Sequence, residues 1–157
     1  MTVSEPHPAD ELEMHRKLAI DLLNRVWELL DEPLRTRAQT DEMIHAAHAS
    51  RYHWGVVGDP VNLARGEWQI SRVYATLGRA EPALYHAQRS LSVVQAHKIE
   101  DSDLAFAYEA LARAQHLAGD PTERDTSAER AREAGNAIAD KDDREAFLSE
   151  LDTVPKG

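Results

Sequence analysis

Apolar side chains recur along most of this chain at intervals of three and four residues, the period of an amphipathic α-helix. In the stretch 62–91, one such segment ends at Gly78 and a second begins directly after it. No candidate for a β-strand is longer than a few residues. The pattern therefore predicts an all-α protein, an array of six to seven helices in which neighbours form antiparallel hairpins.

Glycine and proline residues separate the periodic segments and set the predicted helix boundaries. The tripeptide Gly-Asp-Pro occurs twice, at 58–60 and at 119–121. Each copy offers a glycine for a left-handed residue after one helix, an aspartate cap and a proline for the first turn of the next helix. Thr40 is a candidate N-cap of the second helix, which otherwise begins near Arg35. The predicted helices span 9–30, 35 or 40–57, 60–77, 81–97, 103–118, 121–139 and 142–151.

The predicted helices belong to one domain, residues 9–151. A chain of 157 residues is long enough to bury about two-thirds of its unfolded surface in a single core. Residues 1–8 and 152–157 show no helical periodicity, so we interpret them as a flexible N-terminal tail and a C-terminal tail.

Composition and charge narrow the expected environment and partners. The formal net charge of −10 repels nucleic-acid phosphates and anionic lipids, so neither nucleic acid nor membrane is an expected partner. The chain has no cysteine, which excludes disulfides, thiolate metal sites and cysteine nucleophiles. It has no apolar run long enough to span a bilayer and no secretory signal pattern. We therefore expect a soluble cytoplasmic protein.

The most specific polar pattern is Glu42-x-x-His45-x-x-His48 on the predicted second helix. Residues three apart are neighbours on a helix surface, so these side chains could supply half of a site for a divalent transition metal. The other ligands would come from elsewhere, with Glu67, His86 and Glu109 as candidates. Alternatively, His45 and His48 are partly buried polar residues that face a groove or bond to their neighbours.

Glu67 and Glu109 lie among apolar or small residues, where an unpaired carboxylate is costly. Each glutamate therefore needs a cationic partner. Besides a role as general acid or base, two interpretations of these glutamates are possible. The glutamates form buried pairs that set the helix register, or they form a polar pocket for a ligand. The candidate partners, apart from the histidines, are Arg51, Arg65, Arg72 and Arg113. Aromatic residues that could line a groove, or fill the hairpin core instead, are Tyr52, Trp54, Trp68, Tyr74, Tyr85 and Tyr108.

One helical hairpin resembles the tetratricopeptide repeat, in which an aromatic residue, a turn glycine and small residues determine the packing of two helices. The residues of this resemblance are Tyr74, Gly78, Ala83 and Leu91, with Leu111, Ala112 and Gly119 resembling the first half of a second copy. The two glycines lie 41 residues apart, compared with about 34 in the repeat. The resemblance implies a right-handed array of hairpins, a protein-interaction scaffold whose concave face binds peptides or partner helices. Self-association to a homodimer is compatible with it.

Two functional hypotheses follow. The first is a non-enzymatic protein- or peptide-binding scaffold without a cofactor, because no phosphate-binding glycine loop, dinucleotide fingerprint or nucleophile elbow is present. The alternative is a small-molecule or metal-binding protein, possibly an enzyme, with a divalent transition metal at His45 and His48. The predicted groove residues are His45, His48, Arg51, Tyr52, Glu67, Tyr74, His86 and Glu109.

Overall fold

A computed structural model describes residues 4–156 of the chain. Within them it contains seven α-helices and no β-strand, which confirms the predicted all-α array of hairpins. Residues 1–3 and 157, which belong to the predicted tails, lie outside the described part. The helices are α1 (Pro8–Asp31), α2 (Arg37–Val57), α3 (Pro60–Thr76), α4 (Ala80–Ala96), α5 (Ser102–Leu117), α6 (Pro121–Asn136) and α7 (Lys141–Leu151).

The N-terminus of α2 differs from the prediction. Thr36 is the N-cap: its hydroxyl accepts from the backbone N–H of Gln39 at 3.1 Å, and the Gln39 side chain accepts from the Thr36 N–H at 2.8 Å. The prediction of Thr40 as the cap is wrong, because the residue three positions later is Met43, which cannot return a hydrogen bond. The glutamine three residues after Thr36 therefore decides which threonine caps the helix.

The turn glycines serve two different purposes. Gly78 and Gly119 have φ angles of 71° and 75°, the left-handed conformation that was predicted for Gly119. Gly58 has a φ of −87°, so the prediction of a left-handed residue there is wrong. A Cβ atom at Gly58 would lie 2.7 Å from the Trp54 carbonyl oxygen. This position needs glycine because the chain approaches the end of α2 closely, not because of its handedness.

The helices pack as hairpins in two layers. α1 packs on α2, α3 on α4 and α5 on α6, while α7 packs against α5 and α6. Backbone contacts also join α1 to α3, α3 to α5 and α5 to α7, whereas within residues 4–156 none joins α2 to α4 or α4 to α6. The odd-numbered helices therefore lie closer together and form the inner face of a curved array. The even-numbered helices form its outer face.

The core follows the length of the array and is richest in alanine at its centre. Between the first three helices it contains Val26, Met43 and Ile70. On the central helix α5, Ala105, Ala107, Ala110, Ala112 and Ala114 are all buried, as expected for a helix packed on several sides. At the far end, Val154 is buried, although it lies in the segment predicted as a C-terminal tail. Among residues 4–156, no helix combines the length and apolarity that crossing a membrane requires.

One aromatic side chain from each odd-numbered helix joins a continuous row, which we call the aromatic ladder: Trp27, Trp68, Phe106 and Phe147. Successive ring centroids are 5.6, 5.5 and 4.9 Å apart, within the usual range for interacting aromatic pairs. The four residues are separated by 41, 38 and 41 positions in sequence. The ladder therefore links all the hairpins through contacts between residues far apart in the chain.

We expect Gly135→Ala to destabilise the protein by about 1–3 kcal/mol, the usual cost of overpacking a core. Gly135 is buried on α6, and a Cβ atom there would overlap the ring of Phe147, the last member of the ladder. Urea unfolding at 25 °C measures the change. Gly55→Ala is the control, since the nearest atom to its Cβ is the flexible end of Arg51 at 3.1 Å. It should be neutral or slightly stabilising. Equal stability of the two variants would contradict this packing.

Candidate functional site

The eight residues predicted to line one groove do not form a single site. Seven of them lie on α2, α3 and α4. Five of these seven interact through hydrogen bonds and ring contacts, and we call them the outer cluster: His48, Arg51, Glu67, Tyr74 and His86. The eighth residue, Glu109, lies on α5 in a separate network.

The centre of the outer cluster is the buried carboxylate of Glu67. It accepts from Arg51 Nε at 3.1 Å and lies 2.6 Å from Nδ1 of His86. Arg51 reaches it across α3 because Gly66 has no side chain: a Cβ atom there would lie 2.8 Å from Arg51 Cδ. The predicted partners of Glu67, an arginine and a histidine, are therefore confirmed, and they tie α2 and α4 to α3.

A histidine–tyrosine pair covers this carboxylate network. His48 Nε2 lies 2.8 Å from the Tyr74 hydroxyl, and the rings of Tyr74 and His86 are stacked with centroids 6.1 Å apart. The His48 ring meets the His86 ring edge-on at 5.4 Å. Three aromatic rings thus pack against one another between α2 and α4, where the two backbones do not touch.

These contacts shift two pKa values. Partial burial, followed by the charge of nearby His86, lowers the pKa of His48 below its usual value. Burial alone would raise the pKa of Glu67, but the hydrogen bond and charge of His86, together with Arg51, outweigh it, so the pKa of Glu67 is lowered. Near neutral pH the cluster therefore holds an ionised glutamate beside a neutral His48.

Glu42, His45 and His48, the residues proposed as half of a metal site, each have different neighbours in the structure. Glu42 accepts two hydrogen bonds from Arg25 on α1, at 2.8 and 3.0 Å, and is thereby held away from the outer cluster. His45 is exposed, and so is Tyr52, whose ring contacts His53 at 5.5 Å. Within residues 4–156, no group of three or more histidine or carboxylate side chains is arranged to hold a metal ion.

Glu109 belongs to a second buried network, on the odd-numbered helices. Its side chain is 0% exposed and accepts from Arg113 Nε at 2.7 Å and from Arg72 Nη2 at 3.3 Å. Arg72 also donates to Glu150 at 2.6 Å, so α3, α5 and α7 are joined. The expected arginine partners of Glu109 are confirmed, and the carboxylate is enclosed by protein rather than open to a groove.

A cleft of about 550 Å³ opens on the inner face, over α3 and between α1 and α5. The aromatic and charged residues in its lining are Trp27, Trp54, Arg65, Trp68, Asp103 and Phe106. All three tryptophans of the chain belong to this lining. Trp68 and Gln69 reach it from the middle of α3, where Gln69 Nε2 donates to the Leu23 carbonyl at 3.0 Å and holds α1 beside α3.

The cleft combines tilted aromatic walls with one ion pair. Trp27 and Trp68 meet at 39°, and Trp68 and Phe106 at 75°. Arg65 donates two hydrogen bonds to Asp103, at 2.8 and 3.0 Å, and this bonding raises the pKa of Arg65 above its usual value. The Arg65 side chain is 60% exposed and that of Asp103 only 19%. The pair links α3 to α5 within the lining of the cleft.

Sequence reasoning identified only part of this cleft. Trp54 and Trp68 were expected to line a groove or fill the core, and Arg65 was expected to pair with a glutamate. Trp27, Asp103 and Phe106 were missed. The signal for Trp27 and Phe106 was the recurrence of an aromatic residue every 38 to 41 positions, once on each odd-numbered helix, which becomes visible only when the helices are aligned by their turns. No sequence pattern marks Asp103.

Comparisons with known proteins do not add a functional assignment. No protein-family model, no curated protein and no solved structure matches this chain. Function must therefore be inferred from the chemistry of the two faces.

We expect acidification to destabilise the protein partly through His48. Because its pKa is lowered on folding, the unfolded chain binds the proton first, so the free energy of unfolding falls as the pH drops below about 6.5. His48→Asn should reduce the slope of this free energy against pH, measured by urea unfolding between about pH 5 and 7. His97→Asn, at the exposed C-terminus of α4, is the control and should keep the wild-type slope. An unchanged slope for His48→Asn would disprove the contribution.

We expect Glu109→Gln to destabilise the protein by about 2–4 kcal/mol. The change removes the buried negative charge between Arg72 and Arg113, and the two arginines must then share the single carboxylate of Glu150. Chemical denaturation measures the change in the free energy of unfolding. Asp152→Asn makes the same chemical change in the exposed pair with Arg132, and should cost less than about 1 kcal/mol. If both changes cost the same, the buried network does not stabilise the inner face.

Proposed function

We propose that this protein is a non-enzymatic, cytoplasmic binding module that holds a segment of a partner protein or peptide in the inner cleft. The observation that carries the proposal is the open cleft lined by every tryptophan of the chain. The hairpin architecture and the tetratricopeptide-like residues Tyr74, Gly78, Ala83 and Leu91 support it, since arrays of that type bind partners along a concave face.

The cleft has the size and composition of a binding site. A volume of about 550 Å³ lies within the usual range of about 300–1,000 Å³ for ligand pockets. Tryptophan is enriched among the residues that dominate binding energy, because it offers a large contact area with few rotatable bonds. Trp27 is 37% exposed at the α1 side of the cleft, where an incoming side chain would cover it.

The charged residues near the cleft support binding rather than catalysis. Arg65 and Asp103 bind each other, and Glu109 is enclosed between arginines. Glu67 and His86, which resemble a carboxylate–histidine dyad, lie on the other side of α3 and link helices. The geometry therefore gives no support for a general acid or base at the cleft.

We expect peptides selected for binding to this protein from a random twelve-residue library to lose affinity at least tenfold for the variant Trp27→Ala. The reason is the loss of a partly exposed aromatic wall at the α1 side of the cleft. Fluorescence titration measures binding, and all three emitting side chains line the cleft. Circular dichroism checks that the variant is folded.

Leu34→Ala is the matched control, because Leu34 is an 88% exposed apolar residue on the loop after α1, outside the cleft lining. It should leave affinity unchanged. Peptides that bind Trp27→Ala as tightly as the wild-type protein, or a library that yields no binder, would refute the proposed function.

A further inference from the structure

We infer that the inner cleft selects a cation, and that its occupant is the lysine side chain of a basic partner segment, held among aromatic rings and facing Asp103. The inference rests on the proposed function and specifies the chemistry of the partner. Three independent features of the cleft lead to it: the orientation of its rings, the cations that already pack on them, and its ion pair.

Three aromatic rings, tilted relative to one another, line the cleft. Trp68 meets Trp27 at 39° and Phe106 at 75°, so the three rings do not form a flat stack. The face of an aromatic ring carries partial negative charge and attracts a cation within about 6 Å of its centroid, with tryptophan the strongest of the three aromatic types. Aromatic sites that recognise quaternary ammonium groups and methylated lysine use this attraction.

Two tryptophans of the cleft already contact cations of the same chain. The Arg72 guanidinium carbon lies 5.2 Å from the Trp68 ring centroid, and that of Arg16 lies 5.8 Å from the Trp54 ring. These rings therefore act as cation acceptors in the folded protein. A ligand cation in the cleft would be attracted to these aromatic residues by the same interaction.

The ion pair provides the negative charge. The Asp103 carboxylate is largely buried, whereas Arg65 is 60% exposed and can turn toward solvent. Arg65 is bound to Asp103 by two hydrogen bonds but is mostly in contact with water, so an ammonium group that enters the cleft would compete with Arg65 for the Asp103 carboxylate. The net charge of −10 acts in the same direction, because it attracts basic segments and repels acidic ones.

The effect of replacing either member of the ion pair distinguishes a cationic occupant of the cleft from an anionic or an uncharged one. With a cationic occupant, Asp103→Asn removes the attracting charge and weakens binding, whereas Arg65→Ala removes the competing cation and strengthens it. An anionic occupant would reverse both signs. An uncharged occupant would respond little to either change.

The test is a tryptophan-fluorescence titration with three probes at constant ionic strength. The first is a Gly-Ser dodecapeptide with one central lysine, and the second is the same peptide with norleucine, which keeps the aliphatic stem without the ammonium group. The third is choline chloride, a free organic cation. We expect the lysine peptide to bind at least fivefold more tightly than the norleucine peptide and more tightly than choline.

For the lysine peptide, we expect Asp103→Asn to weaken binding at least fivefold and Arg65→Ala to strengthen it at least twofold. The matched controls are Asp152→Asn and Arg132→Ala, which make the same charge changes in an exposed ion pair outside the cleft lining. Both should leave the affinity within twofold of wild type. Thermal unfolding shows whether each variant is folded.

Each result decides between defined alternatives. Equal binding of the lysine and norleucine peptides, or the same direction of change for Asp103→Asn and Arg65→Ala, would overturn cation selection. Choline binding without lysine-peptide binding would assign the cleft to a free onium compound and overturn the peptide side chain as occupant. If library peptides bind in a Trp27-dependent manner but none of the three probes binds, cation selection fails while the proposed function stands.

Discussion

The contacts of the Trp68 ring are the interaction on which the rest of the array depends. The ring touches Trp27 on α1 and Phe106 on α5, and the guanidinium of Arg72 lies over it. Arg72 in turn binds Glu109 and Glu150, so Trp68 adjoins the buried network that joins α3, α5 and α7. Short loops can form each hairpin, but the curvature that creates the inner face requires contacts between hairpins, and the Trp68 ring contributes such contacts on the inner face.

The two faces of α3 have different roles because consecutive residues point in different directions. Glu67 and Tyr74, seven positions apart, face α2 and α4, where their polar atoms are bonded to Arg51 and the histidines. Trp68 lies one position after Glu67 and faces α1 and α5. The polar atoms of the outer cluster are thus bonded to one another, whereas the cleft presents the partly exposed ring of Trp27. The binding role that we propose for the inner face rests on this division.

The candidate site was only partly predictable from sequence. That Glu67 and Glu109 need cationic partners follows from the cost of burying a charge, and both have them. That they would share one groove did not follow, because a helical period places residues on a face without saying which neighbour covers that face. Glu67 meets α2 and α4, while Glu109 meets α3 and lies in the layer that contains α7. For the same reason Trp27 and Asp103, 76 positions apart, could not be assigned to one cleft.

Local physics therefore determined the helices, and tertiary structure decided the surfaces. Periodic apolar residues, prolines at helix starts and left-handed glycines such as Gly78 act within a few positions, so the sequence alone established the number of helices and the hairpin turns. Even there, Thr36 rather than Thr40 caps α2, because Gln39 can return its hydrogen bond. Which rings form the ladder and which carboxylates face a cleft depends on the relative placement of whole hairpins. That placement is set by packing between residues about 40 positions apart, which no local pattern specifies.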